Sequence, residues 1–192
     1  LHLSLRRQRQ MCIRDSGKTF VALAIAKQLF EQREIRQIIL TRPFFEIDEK
    51  LGTLPGDKDE KVAQIFRPLR SILNQMWGSS QVTEMIKNGK IVLEPLGGVL
   101  GNTYDSAFII LDEAQNTTPG QMKALLTRTG KFSKVVVCGD YKEQKFLEGR
   151  CGLEDALHRL LPLHSVGMVE FTPDDIVRSA FCKEVILAYR NT

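Results

Sequence analysis

The sequence predicts a three-layer α/β domain built on a mostly parallel sheet, and three observations predict it. Short apolar runs of strand length alternate with stretches of helical periodicity along most of the chain. The run Phe108-Ile109-Ile110-Leu111 is apolar throughout, as a strand buried on both faces must be, and it ends in Asp112 and Glu113. Far upstream, Gly17-Lys18-Thr19 opens an apolar stretch of helical spacing.

In open parallel sheets ligands bind at the carboxyl ends of the strands, so an acidic pair there lies where a cation or a water would sit. The plainer alternative is a helix start, which both acids also suit. Gly17-Lys18-Thr19 matches the last three residues of the phosphate-binding pattern G-x-x-x-x-G-K-[ST]. The first glycine of that pattern would fall at position 12, which is Cys12. Gly-Lys-Thr alone is weak evidence, because it occurs often by chance. In this order the two signals point to a nucleotide-hydrolase site of the P-loop type. There the first acid holds Mg²⁺, directly or through water, and the second aligns or deprotonates the attacking water.

Residues 1–15 read differently from the rest. They carry Arg6, Arg7, Arg9 and Arg14 without hydrophobic periodicity or turn signals. Back-translated, the run matches a transposase-end adapter of sequencing libraries, and it is read as a non-native segment in preference to a basic nucleic-acid arm or a targeting peptide. The domain is therefore expected over 16–192, without its native first strand. With the run set aside, the formal charge of +4 falls to about +1, so overall basicity carries no argument for nucleic acid. No apolar run approaches the roughly 20 residues needed to span a bilayer. Cys138, Cys151 and Cys182 have no metal-ligand spacing, and unpaired thiols suit a reducing cytoplasm. His158 and His164 sit near an apolar helix end and read as structural.

After Thr19, Val21, Ala22, Ile25, Leu29 and Phe30 mark a helix that would offer its amino end to phosphate. Gln37 to Thr41 is a buried strand stopped near Arg42-Pro43, and Thr41 and Arg42 read equally as residues of the ligand face or as a polar strand exit. Glu46 to Asp57 is a charged loop. Lys61 to Trp77 reads as one helix or two, with an apolar stripe capped by Trp77. A short helix ends at Asn88-Gly89 and turns into a strand over Lys90 to Glu94. Leu96 to Asn102, with three glycines, reads as a mobile loop. Thr117-Thr118-Pro119 opens a helix with a hydroxyl cap and a first-turn proline. Lys134 to Cys138 is a further strand, followed by Gly139-Asp140, where Asp140 reads equally as a nucleotide sensor or a turn residue. Leu153 to Leu161 reads as a helix, Val169 to Phe171 as a strand and Asp174 to Tyr189 as a helix. Arg178 near the start of that last helix opposes its dipole, which suggests work elsewhere, such as reaching a γ-phosphate.

Thr41-Arg42-Pro43, Leu51-Gly52 with Leu54-Pro55-Gly56-Asp57, and Phe108 to Asn116 with Thr117-Thr118-Pro119 together resemble the PhoH family, as do Gly139-Asp140 and Asp175-Ile176-Val177-Arg178. The resemblance runs from Gly17 to about Tyr189. It implies a RecA-like P-loop fold similar to the core of superfamily-one helicases, with ATP and Mg²⁺ as ligands. It also implies a ring-shaped homo-oligomer and a role in RNA metabolism, in bacteria or bacteriophages. On this reading Lys18 neutralises the β/γ-phosphates and Thr19 offers its hydroxyl to Mg²⁺. Asp112 completes the metal shell and Glu113 orients the water. Gly17, Gln115 and Asp140 make further nucleotide contacts, and Arg178 reaches the γ-phosphate in its own or a neighbouring subunit. The sequence departs from the family at Cys12 and at Gln144, which stands one residue late in a Gly-Asp-x-x-Gln motif. Two other readings stay open: an ATP-gated RNA-binding or scaffold protein with little turnover, and an inactive truncated fragment.

Overall fold

The computed structural model describes residues 17–43, 58–140, 151–171 and 175. Over these residues the elements run α1 (Lys18–Glu31), β1 (Gln37–Arg42), α2 (Lys58–Trp77), α3 (Ser79–Lys87), β2 (Ile91–Pro95), α4 (Leu96–Val99), β3 (Ala107–Leu111), α5 (Pro119–Leu126), β4 (Lys134–Val137) and α6 (Gly152–Leu160). The strands form one sheet in the order β2-β1-β3-β4, parallel throughout. Parallel neighbours cannot be joined by a hairpin, so each connection carries helices over a sheet face.

Strand alternation sorts the core into two halves. Ile38 and Leu40 of β1 and Phe108 and Ile110 of β3 pack with Ala22, Leu23 and Ala26 of α1, and with buried residues of α2 and α3. Ile39, Ile109 and Leu111 face the other way, against Leu96 and Val99 of α4, Met122 and Leu125 of α5, and Leu153 of α6. All five residues of β3 are buried, which is the apolar run doing what two covered faces require. The result is an α/β fold with a parallel sheet between helical layers, consistent with a P-loop NTPase-like core. Among the described residues, no helix is long and apolar enough to cross a membrane.

Several sequence expectations are corrected here. The buried face of α1 is Ala22, Leu23 and Ala26, whereas Val21 and Ile25 are 42% and 46% exposed. The two alanines let the helix lie close on the sheet, and that contact fixes its rotation. Leu96 to Asn102 is not a mobile loop in its first half: Leu96 and Val99 anchor a single helical turn in the core. Val169 to Phe171 forms no strand. Lys61 to Trp77 is one helix despite Pro68 within it, and Trp77 packs against the core as expected. His158 and His164 are exposed, not packed as structural groups. The loop over 46–57, most of the helix expected from Asp174, Cys182 and residues 1–15 lie outside the described residues.

Candidate functional site

The site gathers at the carboxyl ends of β1, β3 and β4. Thr41 of β1 stands opposite Leu111 of β3, and one step further on the Asp112 N–H donates to the Thr41 carbonyl at 2.9 Å. Arg42 and Asp112 each follow residues of odd number that face α4 and α5, so both side chains emerge on the α1 face. That is where α1 begins. Gly17 caps it with φ 83°, a left-handed conformation that a side chain would strain. Lys18 is half-buried in the first turn.

The Thr19 Oγ1 hydroxyl donates to Asp112 Oδ1 at 2.8 Å, joining residues 93 positions apart. Asp112 is only 5% exposed, and its other oxygen, Oδ2, accepts from Arg42 Nε at 2.8 Å and from Arg42 Nη2. The third arm of the guanidinium, Nη1, donates to the Ile65 carbonyl of α2 at 3.0 Å. A single buried carboxylate thus ties α1, β1, β3 and α2 together. The sequence allows Arg42 on the ligand face but does not pair it with Asp112. Strand parity holds the signal, and it becomes readable only once the register is known.

Beyond Asp112 the chain turns sharply. Glu113 has φ 56°, left-handed for a non-glycine residue, and leads into a 3-10 turn over Ala114–Asn116. The Ala114 N–H donates to the Cys138 carbonyl at 2.9 Å, which anchors this turn to the exit of β4. Gln115, 2% exposed, then works in two directions. Its Nε2 donates to Glu113 Oε2 at 2.7 Å, and its Oε1 accepts from the Asp140 N–H at 3.2 Å. The Cys151 thiol donates to the Gln115 carbonyl at 3.2 Å. Gly139 packs so closely here that a Cβ would come within 2.9 Å of Gln115 Oε1 and 2.8 Å of Leu153.

The structure therefore brings Thr19, Asp112, Glu113, Gln115 and Asp140 to one end of the sheet, with Gly17 and Lys18 in the adjoining turn. Arg178 and Gln144 lie outside the described residues. Cys138 and Cys151 are buried, and neither is in a disulfide. Among the described residues, no group of three or more His, Cys, Asp or Glu side chains could hold a metal ion alone. A hydroxyl and a carboxylate are nonetheless hard oxygen donors of the kind Mg²⁺ takes when substrate phosphates and waters supply the rest of its shell. The donor set fits Mg²⁺ on those terms. A separate cleft of about 550 Å³, lined by Phe30, Arg36, Trp77 and Lys90 among others, lies by the amino ends of β1 and β2, opposite this site.

A sequence profile of the family described as PhoH-like protein matches residues 13–190. The chain is similar to the PhoH-like protein of Bacillus subtilis strain 168, with 40% identity over 175 residues, covering 91% of this chain and 55% of that protein. It is 41% identical over 176 residues to Protein PhoH of Escherichia coli K12, covering 90% and 50% respectively. With the PhoH-like protein of Synechocystis the identity is 38% over 178 residues, covering 92% and 54%. The chain thus spans about half the length of the curated relatives it matches.

Proposed function

Since the chain belongs to the PhoH-like protein family, we propose that it forms an ATP-binding core that hydrolyses ATP at a Mg²⁺-dependent site. The observation that carries this reading is the Thr19–Asp112 hydrogen bond, which joins the start of the phosphate helix to the acidic strand. A hydroxyl that donates to Asp112 keeps its lone pairs for a cation, which is how the two halves of such a site cooperate.

In this reading the first turn of α1 receives phosphate, and Lys18 neutralises the charge at the β/γ-phosphates. Thr19 and Asp112 would hold Mg²⁺, which when bound would supply charge neutralisation at the phosphate oxygens. Glu113 orients the water that attacks the γ-phosphorus and takes its proton, the bond from γ-phosphorus to the β–γ bridging oxygen breaks to give ADP and phosphate, and Glu113 then returns the proton to phosphate or solvent. Gln115 keeps the Glu113 carboxylate from swinging free, and Asp140 sits beside it to register the nucleotide. Arg178 is proposed as a γ-phosphate contact. Coupling to RNA, a ring-shaped homo-oligomer and a cytoplasmic setting are supported by the family resemblance, and the last also by cysteines that are not in disulfides, rather than by a residue of the site.

The test separates binding from turnover. Glu113→Gln should abolish phosphate release and leave nucleotide affinity within about twofold, because the amide keeps the shape but is a poor base. Lys18→Ala should weaken nucleotide binding itself. Wild-type phosphate release from Glu113→Gln would sink the assignment, and stimulation of release by RNA would support the coupling.

A further inference from the structure

The Arg42–Asp112 pair has no role in the reading above, although it occupies the centre of the site. We propose that Arg42 is the internal counter-cation of Asp112, closing the carboxylate to free divalent cations so that metal enters only together with nucleotide. This rests on the proposed Mg²⁺–ATP reading of the site.

Both oxygens of Asp112 are engaged. Oδ1 accepts from Thr19, and Oδ2 accepts two N–H groups of one guanidinium. The side chains of Arg42 and Asp112 are 16% and 8% exposed, so solvent screens the pair poorly. The guanidinium fork sets a full positive charge directly against Asp112. The guanidinium is also held from behind. Its Nη1 donates to the Ile65 carbonyl of α2 at 3.0 Å. Such a fork does not drift away to make room. A free divalent cation would meet a pair with no net charge, and Mg²⁺ sheds its waters reluctantly. No three acidic, His or Cys side chains converge among the described residues to outbid that cost. The triphosphate of a nucleotide brings the missing negative charge. The cation is then favoured, held by phosphate and Thr19, with Asp112 acting through its remaining lone pairs or through water. Arg42 is thus a positioning and selectivity residue rather than a catalytic one.

The experiment measures Mn²⁺ affinity of the full chain by electron paramagnetic resonance, with Mn²⁺ alone and with a non-hydrolysable ATP analogue. The wild type should bind Mn²⁺ weakly alone and at least about tenfold more tightly with the analogue. Arg42→Gln should bind Mn²⁺ alone about tenfold more tightly than the wild type, since removing a cation a few ångströms away is worth that much even at high effective dielectric. Arg42→Met is the second uncharged variant should the first fold poorly. Arg42→Lys keeps the charge and should stay near the wild type, although it loses the Ile65 anchor. A purely structural role would make the lysine and glutamine variants alike in metal affinity. Uncharged variants no tighter than wild type overturn the inference while leaving the ATP site standing. A wild type that binds Mn²⁺ equally well with and without the analogue also overturns it. Failure to bind Mn²⁺ even with the analogue overturns the site reading, and this inference with it.

Discussion

Gln115 is the side chain on which the acidic turn depends. Glu113 holds an uncommon left-handed backbone, and its carboxylate would be free to rotate if Gln115 did not donate to it at 2.7 Å. The same amide satisfies the Asp140 N–H, so Gln115→Ala leaves a buried donor without its partner. That change should cost about 1–3 kcal/mol of stability. It should lower kcat more than it weakens nucleotide binding, because the water-orienting group loses its support while Thr19 and Asp112 are untouched. Steady-state kinetics beside a nucleotide titration check this, and equal losses in both would contradict the positioning role. Asp112 and Glu113 are legible in the sequence because a strand buried on both faces has little use for two acids at its tip unless a cation or a water lies there. The bridge through Gln115 and the pairing of Arg42 are not. Both depend on which strand lies beside which, and that ordering is a property of the folded sheet rather than of any window of residues.

At the scale of elements, α5 is the most legible. Thr118 Oγ1 accepts from the Gln121 N–H at 3.2 Å, and Gln121 Oε1 accepts in return from the Thr118 N–H at 2.9 Å. This is a reciprocal capping box with Pro119 in the first turn, and all of it is written in local sequence. Thr118→Ala should cost about 1 kcal/mol. In a domain of this size that lowers Tm by roughly 2–4 °C, measurable by thermal denaturation, and an unchanged Tm would mean the cap is dispensable. The elements that mislead are those decided by tertiary contact. Gly97, Gly98 and Gly101 suggest a loop, yet Leu96 and Val99 bury themselves under β1 and β3 and draw the intervening glycines into a turn of helix. Burial of two apolar side chains outweighs the roughly 1 kcal/mol helix penalty of each glycine. On α1, periodicity alone does not choose between the Val21–Ile25 face and the Ala22–Ala26 face, because both are apolar.

The described residues form one sheet with a separate core on each side, and β3 belongs to both. Ile110 packs on the side of α1, α2 and α3, whereas Ile109 packs on the side of α4, α5 and α6. Both are 0% exposed, so truncation to alanine should cost about 2–5 kcal/mol at either position. Stability should therefore not distinguish the two. Function should. Ile110 shares its face with Asp112 and with Ala22, Leu23 and Ala26 of the helix that carries Thr19. A cavity there should let α1 shift on the sheet and disturb the 2.8 Å contact between Thr19 and Asp112. Ile110→Ala should weaken nucleotide binding several-fold, whereas Ile109→Ala, with the whole sheet between its cavity and α1, should leave binding near the wild-type value. Denaturant midpoints and a fluorescent-nucleotide titration on the two variants make the comparison. Equal affinities alongside equal stability losses would show that the site is insulated from the core beneath it, and the link from α1 packing to nucleotide binding would fail.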